Sequence, residues 1–341
     1  MDVPSFVTVD DYEAPARDRL PADVYDFIAG GAGEEWTLRE NLRAFQRWMI
    51  RPRFLRAATT ADLSTDVVGT RVSMPILVAP WAYQRMVHDD GELATARAAA
   101  SAGTIMVVSS TASQILDKVA LASESPKWWQ LYLSTDRGFS SEMLEQVVAA
   151  GYAAICWTVD LPAFGLRHRD TRNAFDIPAE LLDARYDYDP DITWDDVAWI
   201  RERTPGLPLL VKGILTAEDA RLAADHGVDG IVVSNHGGRQ LDRSPAAIDA
   251  LPEVVDAVAG KAPVLVDGGV RRGVDVFVAL ALGASAVLVG RPAAWGLTVA
   301  GEEGVADVLR ILWEELANTM ALAGCRSVAE ISRDLIARAP D

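Results

Sequence analysis

LPLLVKGILTAEDARLAADHGVDGIVVSNHG, residues 207–237, contains the pattern that decides the fold of this 341-residue chain. Two short apolar runs, LPLLVKG and GIVVSNHG, flank an alanine-rich stretch whose apolar residues follow the 3.6-residue spacing of a helix and which stops at Gly227. The apolar runs are too short for typical helices and are rich in Val, Ile and Leu on both faces, as buried parallel strands are. The stretch therefore predicts a strand, a helix and a second strand.

The same alternation repeats from about residue 74 onward, with helical patterns such as GELATARAAASAG and GVDVFVALALGA between apolar runs. The eight predicted strands are PILVAP (75–80), TIMVVSS (104–110), WWQLYL (128–133), AAICWTVD (153–160), LPLLVKG (207–213), GIVVSNHG (230–237), APVLVDGG (262–269) and SAVLVGRP (285–292). Eight such units favour an α/β fold, a (β/α)₈ TIM barrel over residues 74–341. An open doubly wound sheet uses the same units, but no G-x-G-x-x-G follows the first predicted strand.

The first 73 residues do not follow this rhythm. They predict helices within residues 21–48 and a short extended segment, which together form an N-terminal helical cap over one end of a single barrel domain. A second irregular stretch, between Asp170 and Trp194, follows the fourth predicted strand. A long loop at that place in a barrel lies over the catalytic face, so we expect a lid there.

The composition excludes several classes of function. A formal net charge of −17 opposes binding to nucleic acid or to anionic lipid. The longest apolar runs are too short to span a bilayer, and the acidic N-terminus lacks the basic start of a signal peptide, so we expect a cytoplasmic protein. None of the four histidines has metal-ligand spacing on a helix, and Cys156 and Cys325 are expected to be reduced thiols rather than metal ligands.

The most informative polar run is SNHGGRQLD, residues 234–242, which closes the sixth predicted strand. It places a possible base, His236, three residues before a fixed cation, Arg239. The two glycines between them allow a sharp turn and leave room for a flat ligand, while a guanidinium offers paired donors to a carboxylate. The run indicates a site for an acid with a removable proton.

The other predicted strands also end in residues suited to a site, at the end of the barrel where active sites form. These strand-end residues are Ala79, Pro80, Ser109, Ser110, Gln130, Tyr132, Thr158, Asp160, Lys212, Ser234, Asp267, Gly268, Gly269, Gly290 and Arg291. Glycine amides with Arg271 or Arg291 follow the last two strands, where barrels commonly hold a phosphate. Lys212 is either a Schiff-base nucleophile or a fixed charge beside an electron-poor cofactor.

Taken together, VYDF, LVAP, QLY, TVD, LVKG, SNHGGRQLD, DGGVRRG, LGASAVLVGRP and MALAGCRS resemble the FMN-dependent α-hydroxy acid oxidase and dehydrogenase family. The resemblance runs almost from end to end, and PWAYQRMVH is most similar to the hydroxymandelate oxidases of its aromatic branch. It implies FMN as the cofactor, a homotetramer, and oxidation of an (S)-2-hydroxy acid to the 2-oxo acid. Reduced flavin would be reoxidised by O₂, with H₂O₂ formed, or by another electron acceptor.

The resemblance also implies a role for each matching residue. His236 would take the substrate's proton, and Asp160 would stabilise the resulting imidazolium. The substrate carboxylate would be held by Arg239, Arg167 and the hydroxyl of Tyr25. Tyr132 would bond to the α-oxygen, and Lys212 would lie at the flavin N1 and C2 carbonyl. The edge of the flavin ring would be held by Ser109, Gln130, Thr158 and Ser234, and the backbone near Ala79, Pro80 and Ala82 would face N5. The rest of the cofactor site, chiefly around the phosphate, would be formed by Asp267, Gly268, Gly269, Arg271, Gly290 and Arg291.

Departures from the family pattern concern the substrate more than the chemistry. Thr111 stands where glycolate-type members carry a large residue, Trp81 is bulkier than usual, and the loop after Arg167 is shorter. We therefore expect a substrate larger than glycolate, with an aromatic, mandelate-like side chain as the leading hypothesis.

Several other functions are compatible with the same residues. A dehydrogenase passing electrons to a quinone or other carrier, a decarboxylating monooxygenase, and a tailoring enzyme acting on an unusual metabolite or peptide share the chemistry. A Schiff-base aldolase would use Lys212 and would leave His236 and Arg239 without a role. The residues are also compatible with a protein that binds a flavin or another phosphate ligand and whose site has lost catalytic turnover.

Overall fold

Eight parallel strands close into a barrel in the computed structural model, which describes residues 6–183 and 185–340. The described residues contain these eight strands and four others, which are numbered together in chain order. They are β1 (Trp48–Ile50), β2 (Thr65–Val67), β3 (Thr70–Val72), β4 (Ile76–Val78), β5 (Met106–Ser109), β6 (Lys127–Leu131), β7 (Ala154–Thr158), β8 (Leu209–Ile214), β9 (Gly230–Val233), β10 (Val264–Asp267), β11 (Ala286–Val289) and β12 (Ile336–Arg338). The barrel runs from β4 to β11, and β11 pairs with β4 to close it. The predicted (β/α)₈ barrel is confirmed, and closure excludes the open doubly wound sheet.

Helices surround the barrel and follow most of its strands. They are α1 (Glu13–Arg19), α2 (Ala22–Ala29), α3 (Trp36–Arg43), α4 (Glu92–Ser101), α5 (Leu116–Leu121), α6 (Arg137–Ala149), α7 (His168–Arg172), α8 (Asp196–Arg203), α9 (Ala217–Asp225), α10 (Ala247–Val258), α11 (Gly273–Ala281) and α12 (Arg291–Ala323), the last with a kink at Ala300 and Gly301. Side-chain caps fix the N-termini of two helices. The side chain of Asp136 accepts hydrogen bonds from backbone N–H groups of α6, and that of Thr216 accepts one from a backbone N–H group of α9. Among the helices in the described ranges, none is both long and apolar enough to cross a bilayer.

The barrel interior changes from apolar to polar along the strands. At the amino ends, inward-facing side chains such as Leu77, Trp128 and Leu265 form one buried cluster. Because strand side chains alternate between two faces, the inward positions two residues beyond such apolar residues face the same interior. Those positions are Ser109, Gln130, Thr158, Lys212, Ser234 and Asp267. The alternation therefore collects polar groups at the carboxyl end of the barrel.

The segment before β4 contributes to both ends of the barrel. Phe27 and Ile28 of α2 line a cavity at the carboxyl end, as a cap would. The hairpin of β2 and β3 instead packs Val67 and Val72 against the apolar interior at the amino end. β1 pairs with β12, which joins the cap to the C-terminal segment. The domain boundary at residue 73 stays a prediction, and residues 1–5 of the cap and residue 341 of the barrel lie outside the described residues.

Candidate active site

A cavity of about 370 Å³ opens at the carboxyl end of the barrel. The predicted site residues that line it are Ala79, Pro80, Ala82, Ser109, Gln130, Tyr132, Thr158, Arg167, Lys212, His236, Arg239, Asp267, Gly268, Gly269, Arg271, Gly290 and Arg291. Asp160 and Ser234 lie directly behind this lining, in contact with His236 and Lys212. These residues come from many different strand ends, so closure of the barrel is what brings them together.

His236 and Asp160 form an oriented pair at the cavity wall. Nδ1 of His236 lies 2.9 Å from Oδ1 of Asp160, and its Nε2 lies 3.4 Å from the hydroxyl of Tyr132. Burial raises the pKa of Asp160, but the charge and hydrogen bond of His236, with the charge of Lys212, outweigh burial and lower that pKa overall. An ionised Asp160 accepts the Nδ1 proton, which leaves Nε2 as the basic nitrogen facing the cavity.

A left-handed turn presents His236 to the cavity. His236, Gly237 and Gly238 have φ angles of +58°, +63° and +77°. A Cβ on Gly238 would lie 2.6 Å from the backbone nitrogen of Leu38, so α3 packs too closely for any other residue there. The side chain of Ser234 accepts from the backbone N–H of His236 at 3.0 Å and fixes the start of the turn.

Asn41 and Asn235 form a buried amide pair that the sequence did not reveal. Each Nδ2 donates to the other residue's Oδ1 at 2.8 Å, and Oδ1 of Asn235 also accepts from the backbone N–H of Gly238 at 3.0 Å. The pair joins α3 of the cap to the turn that carries His236. Asn235 was visible within the SNHGGRQLD run, but no local pattern marks Asn41, which lies 194 residues away.

Two arginines approach each other at the cavity around one aromatic ring. The guanidinium of Arg239 lies 4.9 Å from the ring centroid of Phe27, and that of Arg167 lies 5.4 Å from the same centroid. Burial, followed by the charges of Arg167 and Arg291, lowers the pKa of Arg239 well below its usual value. Asp170 pairs with Arg167 at 3.2 Å and offsets part of this charge, and the remaining positive charge suits a carboxylate.

Arg271 and Arg291 form a second cationic region beside the glycine turn after β10. Burial lowers the pKa of Arg271 despite the opposing charge of Asp10. Burial, with the charge of Arg271, lowers the pKa of Arg291 to about 10. The guanidinium of Arg291 donates to the carbonyls of Ile28, Gly30 and Gly237 at 2.8–3.0 Å, so its position is fixed by backbone. Cations beside glycine amides at this place suit a phosphate.

Lys212 is a buried, paired cation. Its Nζ donates to Oγ of Ser234 at 2.9 Å and lies 3.3 Å from Oδ2 of Asp267. Burial alone would lower the pKa of Lys212, but the negative charges of Asp267 and Asp160 raise it overall. Lys212 is therefore an ammonium ion at neutral pH.

Buried polar atoms around Lys212 have no partner within the described part of the chain. They are Nε2 of Gln130, Oγ1 of Thr158 and Oδ1 of Asp267. Oε1 of Gln130 already accepts from Ser109, so its amide donors remain for a bound molecule. The N–H and C=O edge of a flavin supplies complementary donors and acceptors, and these residues fit FMN.

Tyr25 does not lie where the resemblance implied. Its hydroxyl donates to Glu13 at 2.9 Å, its ring stacks on Trp295 with centroids 5.4 Å apart, and it is not part of the cavity lining. Residues two apart on a helix point in very different directions, and it is Phe27 that faces the arginines. The structure places Tyr25 outside the cavity lining, and its role in holding a carboxylate stays a prediction.

The FMN-dependent dehydrogenase family matches residues 16–338. The chain belongs to this family. It is 47% identical to 2-hydroxyacid oxidase 1 of Homo sapiens over 99% of this chain and 98% of that protein. It is 48% identical to glycolate oxidase of Spinacia oleracea over 96% of this chain and 95% of that protein.

Solved structures of mandelate oxidase are similar as well. A variant with (S)-mandelic acid has a TM-score of 0.94 at 45% identity and covers 99% of both chains. The structure of mandelate oxidase with benzoyl-formic acid has a TM-score of 0.93 at 46% identity and covers 96% of this chain and 98% of that chain. The family and the FMN cofactor predicted from the motifs are confirmed, whereas the roles of individual residues stay predictions.

Proposed function

We propose that this flavoprotein oxidises an (S)-2-hydroxy acid with an aromatic side chain to the 2-oxo acid, and that O₂ reoxidises the flavin with formation of H₂O₂. One observation carries the proposal. The basic Nε2 of His236, oriented by Asp160, faces a cavity that also holds Arg167 and Arg239. A base beside paired cations suits a carboxylic acid whose α-carbon loses a proton or hydride.

Each side chain of the site has its own role in the proposed oxidation. Oxidation of the alcohol removes two electrons and two protons, and FMN, when bound, would accept the electrons together with one of these protons. Nε2 of His236 accepts the other proton, and the adjacent Asp160 carboxylate stabilises the imidazolium. Arg167 and Arg239 orient the substrate carboxylate. Burial, with the charge of Asp160, raises the pKa of Tyr132 well above its usual value, so its hydroxyl stays protonated and can donate to the α-oxygen.

Lys212 fits a fixed charge better than a Schiff-base nucleophile. A Schiff base requires a neutral amine, and aldolase-type lysines have lowered pKa values. The pKa of Lys212 is raised by Asp267 and Asp160, which opposes the aldolase hypothesis. An ammonium at this position would stabilise negative charge on a reduced flavin.

The cavity wall supports an aromatic substrate. Phe27, Trp81, Tyr83, Phe164 and Tyr188 line the cavity together with the catalytic groups. Aromatic walls bind an aryl side chain through area and edge-to-face contacts, whereas the small glycolate would leave them uncovered. The likeness to mandelate oxidase with (S)-mandelic acid agrees with this choice.

An anaerobic titration tests the proposal. The purified protein should show a flavin spectrum that bleaches on addition of (S)-mandelate, faster than with glycolate or lactate. Admission of air should restore the spectrum with formation of H₂O₂ and benzoylformate. A protein that does not take up FMN, or whose bound flavin no 2-hydroxy acid reduces, would contradict it. Return of the flavin colour with a quinone but not with O₂ would indicate a dehydrogenase instead of an oxidase. Release of CO₂ would indicate a decarboxylating monooxygenase.

The homotetramer and the cytoplasmic location also belong to the proposal. The tetramer rests on the family resemblance, and the location is carried over from the sequence analysis as a prediction. Light scattering on the purified protein and fractionation of the producing cells test these two points.

A further inference from the structure

A second cavity, of about 380 Å³, lies beside the active-site cavity on the outer side of β5 and β6. It lies between the loop after β5, helix α6 and the segment that follows α7. Among the residues that the structure describes, four line both cavities, namely Tyr83, Thr111, Leu182 and Tyr188. The two spaces are therefore neighbours separated by a common wall.

The common wall consists of side chains from connecting segments. Tyr83 follows β4, Thr111 follows β5, and Leu182 and Tyr188 lie in the segment between α7 and α8. Thr111 is small, and its hydroxyl lies 3.0 Å from that of Ser109. Leu182 is 49% exposed. Tyr83 and Thr111 are buried, so Leu182 is the member of the wall whose rotation can open it without moving a barrel strand.

One segment covers both cavities. Ile177, Leu182 and Tyr188 face the active-site cavity, while Leu181 and Tyr186 line the second. Backbone hydrogen bonds anchor this cover to the chain after β6, from Thr135 to Asp187 and from Asp189 to Leu133, each at 2.9 Å. The segment predicted to be a lid, between residues 170 and 194, thus contributes lining residues to both cavities, and its role as a lid stays a prediction.

The second cavity has a partly apolar, partly polar lining that suits an uncharged group. Ile115, Trp129, Phe139 and Met143 contribute apolar surface to it. Its carboxylates, such as Glu142 and Glu180, oppose a second anion, and Arg185 is already paired with Asp183 at 2.8 Å. FMN and the carboxylate of the substrate would share the active-site cavity. A long side chain on the substrate would therefore have to extend into a different space.

We propose that the second cavity binds the distal part of the substrate's side chain. The substrate class is then a 2-hydroxy acid whose proximal aromatic ring lies between the aromatic walls of the active-site cavity and whose apolar extension passes the wall formed by Tyr83, Thr111, Leu182 and Tyr188. This inference rests on the proposed function and specifies the substrate of the same site.

The test compares (S)-mandelate with (S)-4-(benzyloxy)mandelate on the FMN-loaded enzyme. The extended acid should have a kcat/KM about tenfold higher and a lower Kd in flavin difference spectra, because its second ring is removed from water. Ile115→Glu places a charge in the second cavity at a side chain that is 65% exposed, so folding should be unaffected. It should remove the advantage of the extended acid and leave mandelate turnover unchanged.

Leu121→Glu is the matched control. It makes the same change in charge at an 85% exposed residue of the adjoining helix α5, outside both cavities, and should alter neither substrate. Equal turnover of both acids by the wild type, or equal losses for both acids in Ile115→Glu, would overturn the inference. Failure of every 2-hydroxy acid to bleach the flavin would instead overturn the proposed function, so the two failures are distinguishable.

Discussion

His236 and Asp160 illustrate how single residues acquire their chemistry from neighbours. The imidazole lies at a strand end, but the 2.9 Å contact with Asp160 decides which nitrogen carries the proton. Lys212 is similar, since its charge at neutral pH depends on Asp267 and Asp160 rather than on the lysine itself. Single substitutions at these contacts therefore give the sharpest predictions.

Asp160→Asn should reduce the rate of anaerobic flavin bleaching by about a hundredfold or more, because the amide cannot stabilise the imidazolium. Since the folded pKa of Asp160 is lowered, the stabilising charge is present above the ordinary carboxyl pKa and is lost only as pH falls through the lowered value. Wild-type bleaching, followed by stopped-flow absorbance, should therefore show no loss from this group at neutral pH. Asp225→Asn, at an exposed ion pair, should keep the wild-type rate. A wild-type rate in Asp160→Asn would contradict the assignment.

Lys212→Met should destabilise the folded protein by about 3–5 kcal/mol, because it leaves Asp267 and Asp160 without their buried cation. Chemical denaturation of the apo protein measures the effect. Combining it with Asp267→Asn should recover part of the loss, since the carboxylate that lost its ion-pair partner is then neutral. Strictly additive losses in the double variant would argue against the ion pair.

At the scale of elements, the carboxyl end of the barrel depends on helix α3 as much as on the strands. The main-chain carbonyl of Asn41 would lie 2.1 Å from a Cβ on Gly269, so the glycine turn after β10 and the cap fit directly against each other. The Asn41–Asn235 pair extends this contact to the turn that carries His236. The cap therefore positions catalytic groups as well as covering them.

Asn41→Leu should cost about 1–3 kcal/mol, because the buried amide of Asn235 loses its partner. It should also lower kcat about tenfold, because a displacement of the His236 turn weakens its alignment with the substrate. Thr37→Val removes a buried hydrogen bond from the same helix, to the carbonyl of Ser244, and is the control. Thermal unfolding and steady-state kinetics should separate the two variants, with loss of stability in both and loss of kcat only in Asn41→Leu. Equal kcat values would reduce the pair to a structural role.

At the scale of the whole molecule, an acidic protein concentrates positive charge at one end of its barrel. Its formal net charge is −17, yet Arg239, Arg271 and Arg291 lie at one cavity with lowered pKa values. Holding these cations together costs free energy of folding, which bound anions offset. Ligand binding and global stability should therefore be strongly coupled.

FMN at a hundredfold excess over its Kd should add about 2.7 kcal/mol to the stability of the apo protein. Inorganic phosphate should also raise Tm relative to chloride at equal ionic strength, because it occupies the region of Arg271 and Arg291. Differential scanning calorimetry measures both effects. Riboflavin, which lacks the phosphate, is the control and should stabilise less than FMN. Equal Tm values in phosphate and chloride would contradict the assignment of this cationic region.

The barrel, the family and most of the cavity lining could be predicted from local patterns in the amino-acid sequence. The eight apolar runs predicted the eight barrel strands, because burial on both faces leaves a local signature in composition and spacing. The observed strands are shorter than predicted where polar ends, such as His236, leave the sheet to form the site. Motifs at strand ends identified candidate residues because every barrel gathers those ends at one face.

The side chains of the cap that reach that face could not be predicted and depend on three-dimensional packing. Phe27 rather than Tyr25 faces the arginines, because the rotation of α2 is set by its packing and not by its own sequence. The Asn41–Asn235 pair and the wall shared by two cavities involve residues far apart in the chain. Contacts of that kind depend on three-dimensional packing, for which local periodicity carries no signal.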